Sequence, residues 1–414
     1  MVLQIVYWIA GGILALAWFS RILQAAIGMP AVADVARPEW DRKPPTPRGE
    51  PRVSIIVPAR NEEQDIRATL ESLLALDYSN YEIIAVNDRS TDRTGQIMDE
   101  VLANLCAASA VPSVLVAPAL PTEAGRSIRP TLRIIHVAEL PPGWMGKTHA
   151  MWTAGNQATG DWLLFTDADV LFKPDSLRRV IAYADAEKAD HVVLFPRMIM
   201  KHPGERMMIA FFQALFVFGH RPWKVADPGA QDHMGVGAFN MVRRPVYDAI
   251  GTYRALRMEV LDDMKLGKVI KNAGFAQRNV FGEDLISLHW VRGTFGIVEN
   301  LTKNFFALLS FQWPRTVASI AALAFLNLGP FVGIWLAHGW ARLPYAIALA
   351  SLFGIYYGMS RLSDVAPYYV FLHPISTCLV TYTVARSMVL TIRQGGIVWR
   401  GTKYALEELR RGMV

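Results

Sequence analysis

Cysteine is nearly absent from this 414-residue chain, with Cys106 and Cys378 the only two. One sits in the polar middle and one in an apolar run, which excludes a disulfide framework and a cysteine zinc site. Charge is scarce too, at 19% of residues against 52% hydrophobic, and the mean hydropathy is positive. An ordinary soluble enzyme does not have this balance; a globular domain carrying membrane spans does. Lys and Arg are missing ahead of the first apolar run, Leu3 to Phe19 (LQIVYWIAGGILALAWF). A cleaved signal peptide would carry them, so the run reads as an uncleaved anchor although MPAVADVA offers small residues at cleavage spacing. The cations follow it instead, as Arg21, Arg37, Arg42, Lys43 and Arg48. By the positive-inside rule this places the N-terminus outside and the next domain in the cytoplasm. There is no internal repeat and no low-complexity tract. The net charge of +6 gathers beside the apolar runs, where anionic lipid head groups account for it and nucleic acid does not.

What is present divides the chain into segments: an anchor (1–28), a linker rich in proline and charge (29–51), a domain of ordinary polarity (52–292), an interfacial helix (293–315), a C-terminal membrane region (316–392) and a basic tail (393–414). The membrane region holds runs at about 316–336, 344–359 and 368–392. Three crossings would carry Arg393, Arg400, Lys403, Arg410 and Arg411 outside, against the positive-inside rule. The expectation is therefore two crossings and a cytoplasmic tail in a multi-pass protein of the cell's inner (plasma) membrane.

In the domain, RVSIIVP and YEIIAVND have the composition of buried strands, and EEQDIRATLESLLAL and RTGQIMDEVLANL have helical period. Such alternation predicts an α/β fold with a doubly wound, mainly parallel sheet, which binds ligands beyond the carboxyl ends of its strands. The stretch from about Ala107 to Pro130 breaks the alternation and reads as a surface insertion. Three polar clusters, VPARNEE, VNDRSTDRT and FTDADV, each close a strand. Asp167 and Asp169 stand two apart at such an end, where both carboxylates can face a hard divalent cation that bridges to a diphosphate. A bare DxD is otherwise a polar turn.

VSIIVPARNEE, VNDRSTDRT, GWMGKTHAM, LLFTDADV, GVGAFNMVRR and LDDMKLG, in this order, resemble the successive motifs of family 2 glycosyltransferases of the GT-A fold. The likeness covers about Arg52 to Arg292 and is greatest to the membrane-anchored, lipid-directed branch, which includes ceramide glucosyltransferase-like and carotenoid- or hopanoid-associated members. It implies a GT-A (Rossmann-like) domain with N-terminal and C-terminal transmembrane helices. The implied reaction is metal-assisted, inverting transfer of one sugar from a nucleotide-diphosphate sugar, a UDP-sugar in particular, to a lipid hydroxyl. Mg²⁺ or Mn²⁺ would be the cofactor.

By this resemblance Pro58, Ala59, Asn61 and Glu62 line the nucleotide pocket, Asp88 meets the uracil, and Asp92 supports that loop. Asn61 and Asp92 are equally apt as helix caps. Lys147 lies near the nucleotide or its phosphates, or is a solvated lysine. Asp167 and Asp169 form the DxD, with Asp169 as direct metal ligand. Asp263 matches the catalytic base and Asp262 its partner, although the family's Glu-Asp is here Asp-Asp; both are also acids that a helix N-terminus favours. Gly235, Gly237 and Phe239 form the acceptor-side wall, or a tight strand entry.

FQWPRTV lacks the Gln-x-x-Arg-Trp of processive relatives, so one sugar is expected and not a polymer. IVWRGTKY in the tail echoes a further family motif. The runs Met207–Trp223 and 295–313 read as head-group-layer helices, the first alternatively as a core helix. His289, Trp290 and Arg292 either bridge the sheet to that surface or are boundary residues. A nucleotidyltransferase is disfavoured because PARNEEQD, after the first strand, has no glycine. A transporter or scaffold with a degenerate domain is disfavoured because the C-terminal runs hold little polar beyond Arg386 and His373.

Overall fold

The computed structural model describes residues 2–42, 49–108, 131–290 and 293–414. Most of the expected insertion lies outside them, as does Arg292. The chain forms two compact units: residues 34–197 and 234–288, with Val414, make one, and residues 1–33, 198–233 and 289–413 the other. The segment 198–233, which the sequence suggested belongs to the 52–292 domain, clusters instead with the second unit.

The first unit is built on strands β1 (Val53–Ala59), β2 (Tyr81–Asp88), β3 (Thr131–Val137), β4 (Trp162–Phe165), β5 (Val170–Phe172), β6 (His191–Leu194), β7 (Arg197–Met198), β8 (Asn240–Arg243), β9 (Gln277–Val280) and β10 (Ile286–Leu288). The main sheet has the order β3-β2-β1-β4-β8-β6-β9. β1 pairs in parallel with β2 and β4, β2 with β3 and β6 with β9, whereas β8 runs antiparallel to both of its neighbours. β1 and β4 are buried along their whole length and β2 along nearly all of it, as expected of strands covered on both faces. Ile56, Ile84, Val86, Leu163 and Phe165 pack with Ala150, Met151 and Ala154 of the Gly146–Gln157 helix and with Tyr247 and Tyr253. Because β1, β2 and β4 are parallel, their last residues, Ala59, Asp88 and Phe165, open on one edge. The small sheet β5-β10-β7 starts directly after the DAD.

The second unit is helical. Among the described residues three segments are long and apolar enough to cross a membrane: Val2–Ala31, Trp313–Leu336 and Pro367–Gln394. The 17-residue helix Leu343–Met359 is not one of them; its Tyr345, Ala348, Leu352 and Tyr356 are buried in a core shared with Leu14 and Trp18. The Pro203–Gly219 helix buries Met208, Phe211, Ala214 and Val217, the core-helix alternative for that run. His289 contacts Glu205 at 3.3 Å, and Gly293 N donates to the same carboxylate at 2.7 Å. IVWRGTKY forms a hairpin, Gly396–Trp399 with Thr402–Ala405, and Lys303 lies 4.3 Å from the centre of the Trp399 ring.

One polar group sits deep in this core. His373, fully buried, bonds Asn327 Oδ1 through Nε2 at 3.0 Å and the Tyr356 hydroxyl through Nδ1 at 2.9 Å. Both ring nitrogens are thus satisfied. Asn327→Leu strands one of them, so thermal unfolding of the detergent-solubilised protein is expected to show a loss of about 1–3 kcal/mol, the cost of a buried orphan. Replacing Asn327 and His373 together by Leu should recover part of that loss.

Candidate active site

The first wall of the site is an interlock between the β1 and β2 loops. Asn61 has φ 55°, a left-handed conformation that Asn tolerates. Its Oδ1 accepts from Thr91 N at 2.8 Å, and its own N–H donates to Ser90 Oγ at 3.1 Å. Glu62 N donates to Thr94 Oγ1 at 2.7 Å. Asp92 accepts from Thr94 N (2.9 Å) and Thr94 Oγ1 (2.6 Å) and from Glu63 N (3.2 Å). Burial pushes the Asp92 carboxyl up, but the hydrogen bonds from Thr94 and Glu63 outweigh it and hold its pKa below the ordinary value. Asp92 therefore caps the Thr94–Ala108 helix and ties two loops at once. Asn61 ties loops and caps nothing. Pro58 and Ala59 are buried at the end of β1.

Asp88, at the tip of β2, is 3% exposed and already gripped. Arg89 meets it with Nε at 2.7 Å and Nη2 at 3.1 Å, and Arg60 Nη1 lies at 3.8 Å. These two arginines, one residue past β1 and one past β2, went unnoticed in the sequence; their signal was a cation directly following each strand-closing residue. A Cβ on Gly146 would come within 2.3 Å of Asp88 Oδ2. A side chain there would have to displace the Asp88 carboxylate; glycine lets the Gly146–Gln157 helix start against the β2 tip, and this start places Lys147.

Lys147 is not solvated. Its Nζ is 2.7 Å from Asp167 Oδ1 and 3.8 Å from Asp262 Oδ1. Burial works against the ammonium, but Asp167, Asp262 and Asp263 more than offset it, so its pKa lies above the ordinary value. Backbone bonds fix the DxD turn: Thr166 N to Ile56 O at 3.1 Å, Asp167 N to Gly237 O at 3.1 Å, and Thr69 Oγ1 to Ala168 O at 2.9 Å. Asp169 Oδ1 is buried without a hydrogen-bond partner. Burial first, then the Asp167 and Glu62 charges, push the Asp169 carboxyl up to about 7.

The facing wall comes from the start of β8 and from the Asp262–Asn272 helix. Asp263 accepts from Gly237 N through Oδ2 at 2.9 Å and from Met264 N through Oδ1 at 2.8 Å. Burial raises its pKa. Asp262 is 4% exposed and its Oδ2 has no partner; burial, with Asp263 and Asp167, pushes it up to about 7 against the pull of Lys147. Both acids do sit in a helical first turn. A Cβ on Gly235 would strike Asp263 O at 1.8 Å, and one on Gly237 would meet Asp167 Oδ2 at 2.4 Å. Phe239 must be corrected: it is fully buried and packs toward Phe172, ring centres 6.1 Å apart, so it belongs to the core and not to an acceptor-facing wall.

A divalent cation fits Asp169, whose buried carboxylate oxygen lacks a partner, but no protein cage surrounds it. Among the described residues no group of three or more His, Cys, Asp or Glu side chains is arranged to hold a metal. Remaining ligands would have to be phosphate oxygens and water, as is usual for Mg²⁺. The raised Asp169 and Asp262 groups bind protons more tightly in the folded state than in the unfolded chain. Their contribution to stability is present below about pH 4 and is lost as pH rises through about 7. Without nucleotide and metal, the melting temperature is expected to fall between pH 5 and pH 8, with a shallower slope in Asp169→Asn; an identical slope would contradict the assignment.

Three comparisons bear on this arrangement. Residues 54–107 and 125–264 match the model of glycosyl transferase family 2. The 4,4'-diaponeurosporenoate glycosyltransferase of Staphylococcus aureus (strain bovine RF122 / ET3-1) is 22% identical over 402 residues, covering 94% of this chain and 99% of the relative. The protein of the same name from strain USA300 is 22% identical over 364 residues, 86% of this chain and 89% of the relative. Among solved structures, the mannosyltransferase PcManGT from Pyrobaculum calidifontis, in complex with GDP-Man and Mn²⁺, superposes with a TM-score of 0.52 at 20% identity, covering 92% of this chain and 99% of that one.

Proposed function

We propose that this chain, which carries a glycosyl transferase family 2 domain, moves one sugar from a nucleotide-diphosphate sugar to an apolar, membrane-dissolved acceptor by a single inverting displacement. The observation that carries this reading is the meeting of two acid pairs at one sheet edge: Asp167 and Asp169 after β4, and Asp262 and Asp263 beside the β8 entry, with Lys147 between Asp167 and Asp262. The β1 and β2 loops, from Pro58 to Glu62 and from Asp88 to Asp92, hold the nucleotide, and UDP is the proposed donor nucleotide. Asp169 holds the divalent cation, Mg²⁺ or Mn²⁺, which when bound stabilises charge on the departing diphosphate. Lys147 lies within reach of the same charge. Asp263 takes the acceptor proton; two backbone N–H groups fix its carboxylate and leave one lone pair on each oxygen for that proton. The new bond joins the acceptor oxygen to the anomeric carbon as the bond from that carbon to the phosphate oxygen breaks. Gly235 and Gly237 keep this side of the site narrow.

The acceptor class rests on the three long apolar helices and on the curated relatives, whose name is that of a carotenoid-type acceptor. The test incubates the full chain in detergent with UDP- or GDP-sugars and a lipid extract. Expected are nucleoside diphosphate release that depends on the extract, and one lipid gaining the mass of a single hexose, hexosamine or uronic acid. Release that ignores the extract, or no release from any donor, overturns the proposal. Two crossings after Arg315 and a cytoplasmic tail are proposed with it. A cysteine placed after Arg411, in a background lacking Cys106 and Cys378, is then expected to resist a membrane-impermeant thiol reagent in intact cells; prompt labelling means an external tail.

A further inference from the structure

We infer that Lys147 is an exchangeable counterion: in the donor-free protein its ammonium occupies the Asp167 and Asp262 carboxylates, and it passes to the donor's diphosphate when nucleotide and metal enter, so that the divalent cation binds together with the nucleotide and not before it.

This rests on the family 2 reading and adds an order of events to it. Lys147 Nζ makes a close pair with Asp167 and a longer one with Asp262, and its side chain is only 19% exposed. The Asp167 side chain is 36% exposed, and separating the pair without a replacement leaves the largely shielded ammonium short of a counter-charge. A hydrated cation arriving alone meets Asp169 with one unpartnered oxygen, an Asp167 whose Oδ1 is held by an ammonium, and no group of three acids, histidines or cysteines arranged for a metal among the described residues. To use Asp167 Oδ1 it must displace the ammonium, which then has only Asp262 and Asp263 as acids nearby. Arrival with a diphosphate changes both sides of the exchange. The cation gains phosphate oxygens, and the ammonium gains a doubly charged partner at the start of a helix, where the helix dipole favours the same anion. Neither charge is left bare at any stage.

The exchange makes an unusual demand on one variant. Lys147→Met removes the competitor for Asp167 and also a ligand for the diphosphate, so metal and nucleotide should respond in opposite directions. The experiment measures free Mn²⁺ by electron paramagnetic resonance against the purified full chain in detergent, first without nucleotide and then with UDP or GDP. Without nucleotide, Lys147→Met is expected to bind Mn²⁺ at least about tenfold more tightly than the parent, and with Mn²⁺ present to bind nucleoside diphosphate at least about tenfold more weakly, each a change of roughly 1.4 kcal/mol. Lys147→Arg, which keeps the charge, should bind Mn²⁺ as the parent does. Lys147→Gln serves as the neutral variant if the Met variant melts early. Equal or weaker Mn²⁺ binding in the neutral variants, or tight Mn²⁺ binding by the parent without nucleotide, overturns the exchange. Because the readout is metal and nucleotide alone, it stands apart from the sugar-transfer reading, which fails separately if no lipid gains mass.

Discussion

Asp169→Asn is expected to fold as the parent does and to lose sugar transfer by roughly a hundredfold or more. The position is buried, one of its oxygens has no partner, and its charge is opposed by burial and by the Asp167 and Glu62 charges. A protein optimising stability alone would place a neutral group there. The variant should therefore melt no lower than the parent at neutral pH while releasing almost no nucleoside diphosphate. Added Mn²⁺ should stabilise the parent in the presence of nucleotide and leave the variant unmoved. Full turnover in chelator, or in Asp169→Asn, would remove the divalent cation from the reaction.

Asp263→Asn should separate binding from chemistry. Donor affinity is expected to stay near normal while the transfer rate falls by roughly 10²–10⁴, the range for losing a positioned proton acceptor. The geometry adds a smaller effect. Gly237 N and Met264 N each donate to one Asp263 oxygen, and an Asn can accept only one of those bonds, so a stability loss of about 1 kcal/mol accompanies the variant. Asp262→Asn is the contrast. It leaves those two bonds intact and removes a charge from Lys147, so its transfer rate should fall less than that of Asp263→Asn. A larger loss in Asp262→Asn would exchange the roles of the two acids.

Much of this was legible in the sequence, for a physical reason. VSIIVPA, YEIIAVND and WLLF are short, buried and each closed by polar residues, so strand and tip can both be read locally. What could not be read depends on contacts across long stretches of chain. The two arginines that hold Asp88 gave no periodic signal. The carboxylates that hold Lys147 were hidden because they lie 20 and 115 residues further along. Resemblance alone places Phe239, just ahead of β8, on a wall; its burial against Phe172 depends on chain far away in sequence. The antiparallel course of β8 was invisible too, since pattern shows that a strand exists and not which way it runs. The segment 198–233 had the polarity of its surroundings at both ends, which hid its membership of the helical unit.

β8 runs against β4, so its first residues reach the same rim that β4 leaves by its last ones. Gly237 stands there with its carbonyl on Asp167 N, its N–H on Asp263 Oδ2, and no room for a Cβ beside Asp167. One peptide residue thus stitches Asp167, proposed to act on the donor side, to Asp263, the proposed base. The spacing of the two carboxylates is therefore set by a single backbone unit: a shift of position 237 moves both of them together and neither alone.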